Sequence, residues 1–149
     1  EICLMSRSAR LFHDVDEVID NWYSCLLKCD LESALSLWFE EDTVTCILPD
    51  GVRLTGHKQL RLGLQDLMKN SILLDTLTAT SHSYMGTTFV DSTEAVRFQK
   101  DNLEPSFYIH MTIILVQGTM GWRIVHLHTS PVAKELINSP SIVGDHGFH

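Results

Sequence analysis

Long apolar runs are missing from this chain. The longest, MTIILV, is strand-sized and far short of the ~20 residues that cross a bilayer as a helix, so no membrane partner is expected. Basic residues are also scarce: 11 Lys and Arg stand against 19 Asp and Glu, a formal charge of −8. That deficit argues against a nucleic-acid partner, because neutralising phosphates requires a basic stripe. The four cysteines, Cys3, Cys25, Cys29 and Cys46, form no CxxC pair and no zinc-site spacing. They read as small, reduced, mostly buried side chains, which suits the cytoplasm. No signal peptide is legible, and with Glu1 in place of Met a leader ahead of it stays open. Carboxylates are absent where a pocket would use them: no Asp or Glu occurs between Phe107 and Val132.

What is present suits one globular domain. The 149 residues are 44% hydrophobic and 20% charged, and a chain of this size buries roughly 68–70% of its unfolded surface. Acidic residues gather in the first third, at Asp14, Asp16, Glu17, Asp20, Asp30, Glu32, Glu40, Glu41 and Asp42. They read as a solvated helical face, with a docking surface for a basic partner as the alternative. Asp14 and Glu17 make a capping box. Val15, Val18, Ile19, Trp22, Leu26 and Cys29 follow at helical spacing. Asp30 caps a second, shorter helix. TVTCILPDGVRLTG reads as a strand, a Pro-Asp-Gly turn and a return strand. A third helix spans 57–70, and from about 74 to 131 the pattern is all strand. Helices first and strands afterwards predict an α+β fold, with helices on one face of a curved antiparallel sheet.

Three stretches, WYSCLLKCDLESALSLWFEEDTV, LPDGVRLTGHKQLR and GWRIVHLHTSP, together resemble the nuclear transport factor 2-like superfamily and its SnoaL-like branch. The last resembles the final strand of the association domain of calcium/calmodulin-dependent protein kinase II. The resemblance implies a cone-shaped domain over 14–132, three N-terminal helices on a strongly curved antiparallel sheet. An arm over 1–13 and a tail over 133–149 flank it, with His146 and His149 in the tail. It implies a SnoaL-like domain with a mostly apolar pocket for an unknown small hydrophobic or acidic ligand, with no cofactor. Isomerase-, cyclase- or hydrolase-like activity is one outcome. A non-enzymatic oligomerisation module is the alternative, since such folds host both. The catalytic residues of known branches do not carry over well. Leu48 stands where ketosteroid isomerases place a strand Asp, and Ile113 where they place an oxyanion acid. Their helix-borne Tyr falls near Trp22, with Tyr23 beside it. The Arg-x-Asp of limonene epoxide hydrolases meets Arg97-Phe98-Gln99, which lacks the carboxylate. SnoaL-type cyclases use an acid on the last strands, where none occurs; Glu94 is the main strand carboxylate.

His126 and His128 are two apart in a strand and share a face. With Gly121 closing a three-residue bulged loop, Gly118 pairs with Trp122, His110 lies opposite Ser130, and Thr112 lies opposite His128. A two- or four-residue loop would shift that parity. Metal binding and acid–base chemistry are possible uses of three such histidines, but no metal site is assigned. The favoured reading follows the resemblance: an outer sheet face made by Tyr108, His110, Trp122, Ile124, His126 and His128 that packs a homodimer. Ligand-lining candidates are Arg97, Trp22, Tyr23, Trp38, Ile113 and Thr129. Arg97 would anchor an anion if buried, or else sit at an edge in water. The association domain's two other pocket arginines fall near Ile113 and Thr129. His57, His82 and Tyr84 are candidates for the mouth.

Overall fold

The computed structural model describes residues 11–98 and 103–137. Helix α1 (Val15–Lys28) starts where its cap chemistry dictates: the Asp14 carboxylate accepts the Glu17 N–H at 2.8 Å and the Glu17 carboxylate accepts the His13 N–H at 3.1 Å. Its buried stripe is Val18, Trp22, Cys25 and Leu26, and Cys29 ends it in the left-handed conformation with φ 57°. Asp30 then caps α2 (Leu31–Ser36) by accepting the Ser33 N–H at 3.2 Å. Strands β1 (Thr45–Ile47) and β2 (Arg53–Thr55) flank the Pro-Asp-Gly turn, with Gly51 at φ 93°. Helix α3 (Gly56–Leu67) borrows its cap from afar: Thr55 makes no side-chain cap bond, and Asp42 accepts the His57 N–H at 2.7 Å.

Four long strands follow, β3 (Ile72–Tyr84), β4 (Thr87–Phe98), β5 (Phe107–Gly118) and β6 (Gly121–Val132), then a short helix α4 (Lys134–Ile137). The six strands form one curved, open sheet in the order β2-β1-β6-β5-β4-β3. All neighbours are antiparallel except β1 and β6, which run parallel. This is the expected α+β fold. The inner face of the long strands is buried through Ile72, Val96, Ile109, Met111, Ile113, Leu115 and Leu127, with α1 packed across β3 and β6 while α3 packs on β1 and β2.

The β5–β6 hairpin departs from the expected turn. Gly118 pairs with Gly121, not Trp122, across a two-residue turn; Gly121 carries the φ of 87°. A bulge then leaves Val125 unpaired between Ile124↔Leu115 and His126↔Ile114. The extra residue restores the expected register, so His110 does lie opposite Ser130 and Thr112 opposite His128. Before the bulge the parity is reversed. Ile124 shares the face of Leu115 and is fully buried, and Trp122 packs against the core. Neither belongs to the outer face assigned to it, because one unpaired residue turns the strand over. Residues 1–10 and 138–149 of the expected arm and tail, including His146 and His149, lie outside the described residues. Phe12, assigned to the arm, is core: it is 1% exposed and its carbonyl accepts the Trp122 N–H at 2.9 Å.

Candidate functional site

A cavity of about 70 Å³ lies on the inner face of the sheet. Helix α1 contributes Trp22 and Leu26, α3 contributes Leu67, the first hairpin Cys46, Leu48 and Pro49. The long strands close it with Ile72, Leu74, Val96, Ile109, Met111, Leu127 and Thr129. Its hydroxyl and its thiol are chemically silent. The Thr129 hydroxyl donates to the Ile47 carbonyl at 2.9 Å, which leaves its methyl for the wall. Burial pushes the Cys46 thiol up to about 12, so it stays protonated and acts as a small hydrophobe.

On the same face, Glu94 is fully buried. It lies opposite Ile109 on β5 and Thr76 on β3. Two hydroxyls satisfy its carboxyl: Tyr23 donates at 2.8 Å, and Thr76 donates at 2.8 and 3.1 Å to the two oxygens. Among the described residues Glu94 is the only buried carboxyl. Burial, and then the adjacent Glu94 charge, push the Tyr23 phenol above its ordinary value of 10. Tyr23 therefore remains a hydrogen-bond donor. Leu74, Val96, Ile109 and Met111, all cavity wall, surround Glu94 on this face, so the carboxyl stands just behind the apolar lining.

The model of the SnoaL-like domain matches residues 15–134. The chain belongs to the SnoaL-like family. No curated protein matches it significantly. Solved structures share its fold. One, from Thiobacillus denitrificans, is described as a candidate calcium/calmodulin-dependent protein kinase type II association domain; it is 20% identical with a TM-score of 0.73, covering 83% of this chain and 98% of that one. A candidate dehydratase of the NTF2-like family from Streptomyces avermitilis is 21% identical with a TM-score of 0.71, covering 79% and 93%. An NTF2-like superfamily protein from Salmonella enterica is 21% identical with a TM-score of 0.68, covering 79% and 88%. At these identities the likeness concerns the fold.

Within this SnoaL-like domain the proposed ligand residues separate. Trp22 and Thr129 line the cavity. Tyr23 binds Glu94 behind it. Ile113 is core. Trp38 packs edge-on against Trp22, with ring centroids 5.9 Å apart, and faces a different cleft. Its indole N–H is buried and meets no acceptor among the described residues. Arg97 does not reach the cavity. It lies opposite Leu73, on the face away from Glu94 and Val96, and gives its guanidinium to Asp75 at 2.8 and 2.9 Å. Strand alternation is the reason: Val96 and Phe98 take the inner face, and Arg97 between them takes the outer one.

The outer face does bring Tyr108, His110, His126 and His128 together. His110 Nδ1 is 3.0 Å from the Thr93 hydroxyl, and the His126 and His128 rings meet edge-on at 6.2 Å. Burial first, then His128 and Arg53, lower the His126 pKa below 6.5. His82 and Tyr84 stack on Phe89 of this face, away from the cavity mouth. Glu94 is the site residue that no role was assigned to in sequence. Its signal was parity: it stands two residues from Val96, so it shares the apolar face.

Proposed function

We propose that this SnoaL-like domain holds one small, predominantly apolar molecule in the cavity on the inner face of its sheet. The observation that carries this reading is a cavity surface that is apolar throughout; Thr129 spends its hydroxyl on Ile47 and Cys46 stays protonated. Such cavities stay dry and take apolar guests. At about 70 Å³ it is smaller than the ~150 Å³ that accepts benzene, so a ring-sized ligand needs the wall to give. Met111 is the adaptable element, being unbranched and flexible. Its displacement opens a path to Glu94, which favours a ligand bearing one hydroxyl or N–H donor. Isomerase-, cyclase- or hydrolase-like turnover would use Glu94 as the proton acceptor.

The test is a thermal-shift series with benzene, benzyl alcohol and short aliphatic esters on the wild type and Leu74→Phe, which fills the cavity from its half-buried rim. A ligand at 100 times its dissociation constant stabilises by about 2.7 kcal/mol. Stabilisation that disappears in Leu74→Phe supports the reading; none with any probe, or equal shifts in both proteins, overturns it.

A second reading is homodimerisation through the outer face, favoured by half-buried Phe89, Tyr108, Ile114 and His126 gathered there. Light scattering of the wild type and Ile114→Arg tests it: a dimer that the substitution splits supports it, and a monomeric wild type removes it.

A further inference from the structure

We propose that the exposed edge of β3 is a homotypic interaction surface, where a second copy of this chain adds its own β3 in antiparallel pairing. β3 ends the sheet, with β4 as its one neighbouring strand among the described residues. The main-chain N–H and C=O groups on its far side therefore form a row open to another strand. Edges that avoid partners are very short or carry charge or proline. β3 does neither over its exposed part. It runs for 13 residues without proline, and its one charged side chain, Asp75, precedes the exposed part and is paired with Arg97 at 2.8 Å. Thr76 to Tyr84 is exposed throughout and holds no Asp, Glu, Lys or Arg. The other end of the sheet is guarded: β2 has three residues and an exposed Arg53. With one edge able to pair, the contact closes as a dimer instead of growing into a fibre.

The partner follows from the register. A bulge at Leu77 and the turn at Met85 and Gly86 bound a regular stretch, Thr78 to Tyr84, whose centre is Ser81. A copy turned about a two-fold axis at Ser81 sets Ser81 against its own counterpart, Thr80 against His82 and Thr78 against Tyr84. Faces then match: Thr78, Thr80, His82 and Tyr84 share the face of Thr93, Asp91 and Phe89, while Ala79, Ser81 and Ser83 share the other. An aromatic residue opposite a β-branched one is a favourable cross-strand pair. Each chain carries a formal charge of −8, so an uncharged strip is where two copies meet with least repulsion. With no charge to select a foreign strand, a copy matched in length and face is the partner this edge fits. Here sheet edges join, whereas in the outer-face dimer sheet faces pack.

Sedimentation of the full chain at concentrations up to about 1 mM, the weak end of specific association, reads the contact. The expected result is a dimer. Ser81→Lys sets like charges opposite each other across the axis and should weaken it about fivefold, as should Ser81→Glu. Mixing the two variants should restore a heterodimer at least as tight as the wild-type pair, which variants that failed to fold would not give. Ile114→Arg should leave the edge dimer intact. A monomeric wild type would overturn the proposal and leave the edge to a strand of another protein. Association undiminished by Ser81→Lys, or no recovery on mixing, would overturn it too. Splitting by Ile114→Arg and not by Ser81→Lys would replace it with face packing. Neither Ser81 nor Ile114 lines the apolar cavity, so the cavity reading stands or falls separately.

Discussion

Tyr23→Phe removes one oxygen atom and questions the buried carboxyl directly. Glu94 is fully buried and cannot turn to water for a replacement partner. After the substitution the Thr76 hydroxyl, at 2.8 and 3.1 Å, is the one side chain among the described residues that still donates to it. A hydrogen bond to a charged group contributes about 1.5–3 kcal/mol, and the phenyl ring keeps its packing, so a loss of about 2 kcal/mol is expected. In a Glu94→Gln background the acceptor is a neutral amide. There the same substitution should cost nearer 1 kcal/mol, a coupling of about 1 kcal/mol in the double-mutant cycle. Urea denaturation at neutral pH reads this as a lower midpoint at unchanged slope. The alkaline limb supplies an independent reading. The folded phenol sits above its unfolded value of 10, so the folded state keeps a proton that the unfolded state releases. That contribution is complete below pH 10 and is lost as pH rises. Tyr23→Phe should flatten the fall in stability above pH 10. A loss under about 0.5 kcal/mol, or an equal loss in the Glu94→Gln background, would refute the hydrogen-bond account.

Three further outcomes follow from the same geometry. Arg97→Ala breaks a half-exposed pair with Asp75, so it should cost less than about 1 kcal/mol in urea and leave cavity binding unchanged; loss of binding would return Arg97 to the pocket. Gly121→Ala places a methyl 2.2 Å from the Phe12 carbonyl oxygen at a φ of 87°, and should cost about 2–4 kcal/mol with hydrogen exchange at Trp122 accelerated. Burial holds the folded His126 pKa below 6.5, so the unfolded chain takes up the proton first and stability falls as pH drops through 6.5. His126→Asn should weaken that dependence, measured as melting temperature against pH; an unchanged acid slope would contradict it.

Helix positions were legible because their signals are local. Asp14, Asp30 and the i, i+3, i+4 stripe act within a few residues, and the caps form where that chemistry places them. The resemblance in residue order carried the family and the sheet. The third helix needed more: its cap is Asp42, which acts across 15 positions on the His57 N–H, and no local pattern announces it.

The candidate site was only half legible. Alternation identifies which side chains travel together but not which face is concave, so Arg97 could be placed beside an imagined pocket while Glu94 was the residue turned inward. Trp22 and Thr129 are in the wall, whereas Trp38 serves a different cleft. The outer-face set failed at Trp122 and Ile124 because a bulge at Val125 reverses parity, and a bulge of this kind has no composition of its own.

The amino-acid sequence by itself determined the elements, their order and the family, because capping, periodicity and turn chemistry are properties of neighbours in the chain. Only the tertiary structure decided that Thr129 and Cys46 are silent, that Glu94 is the buried acid and that β3 stands at the edge of the sheet. Those facts depend on contacts between residues far apart in sequence, on burial that alters acidity, and on one unpaired residue that sets the direction of every side chain beyond it.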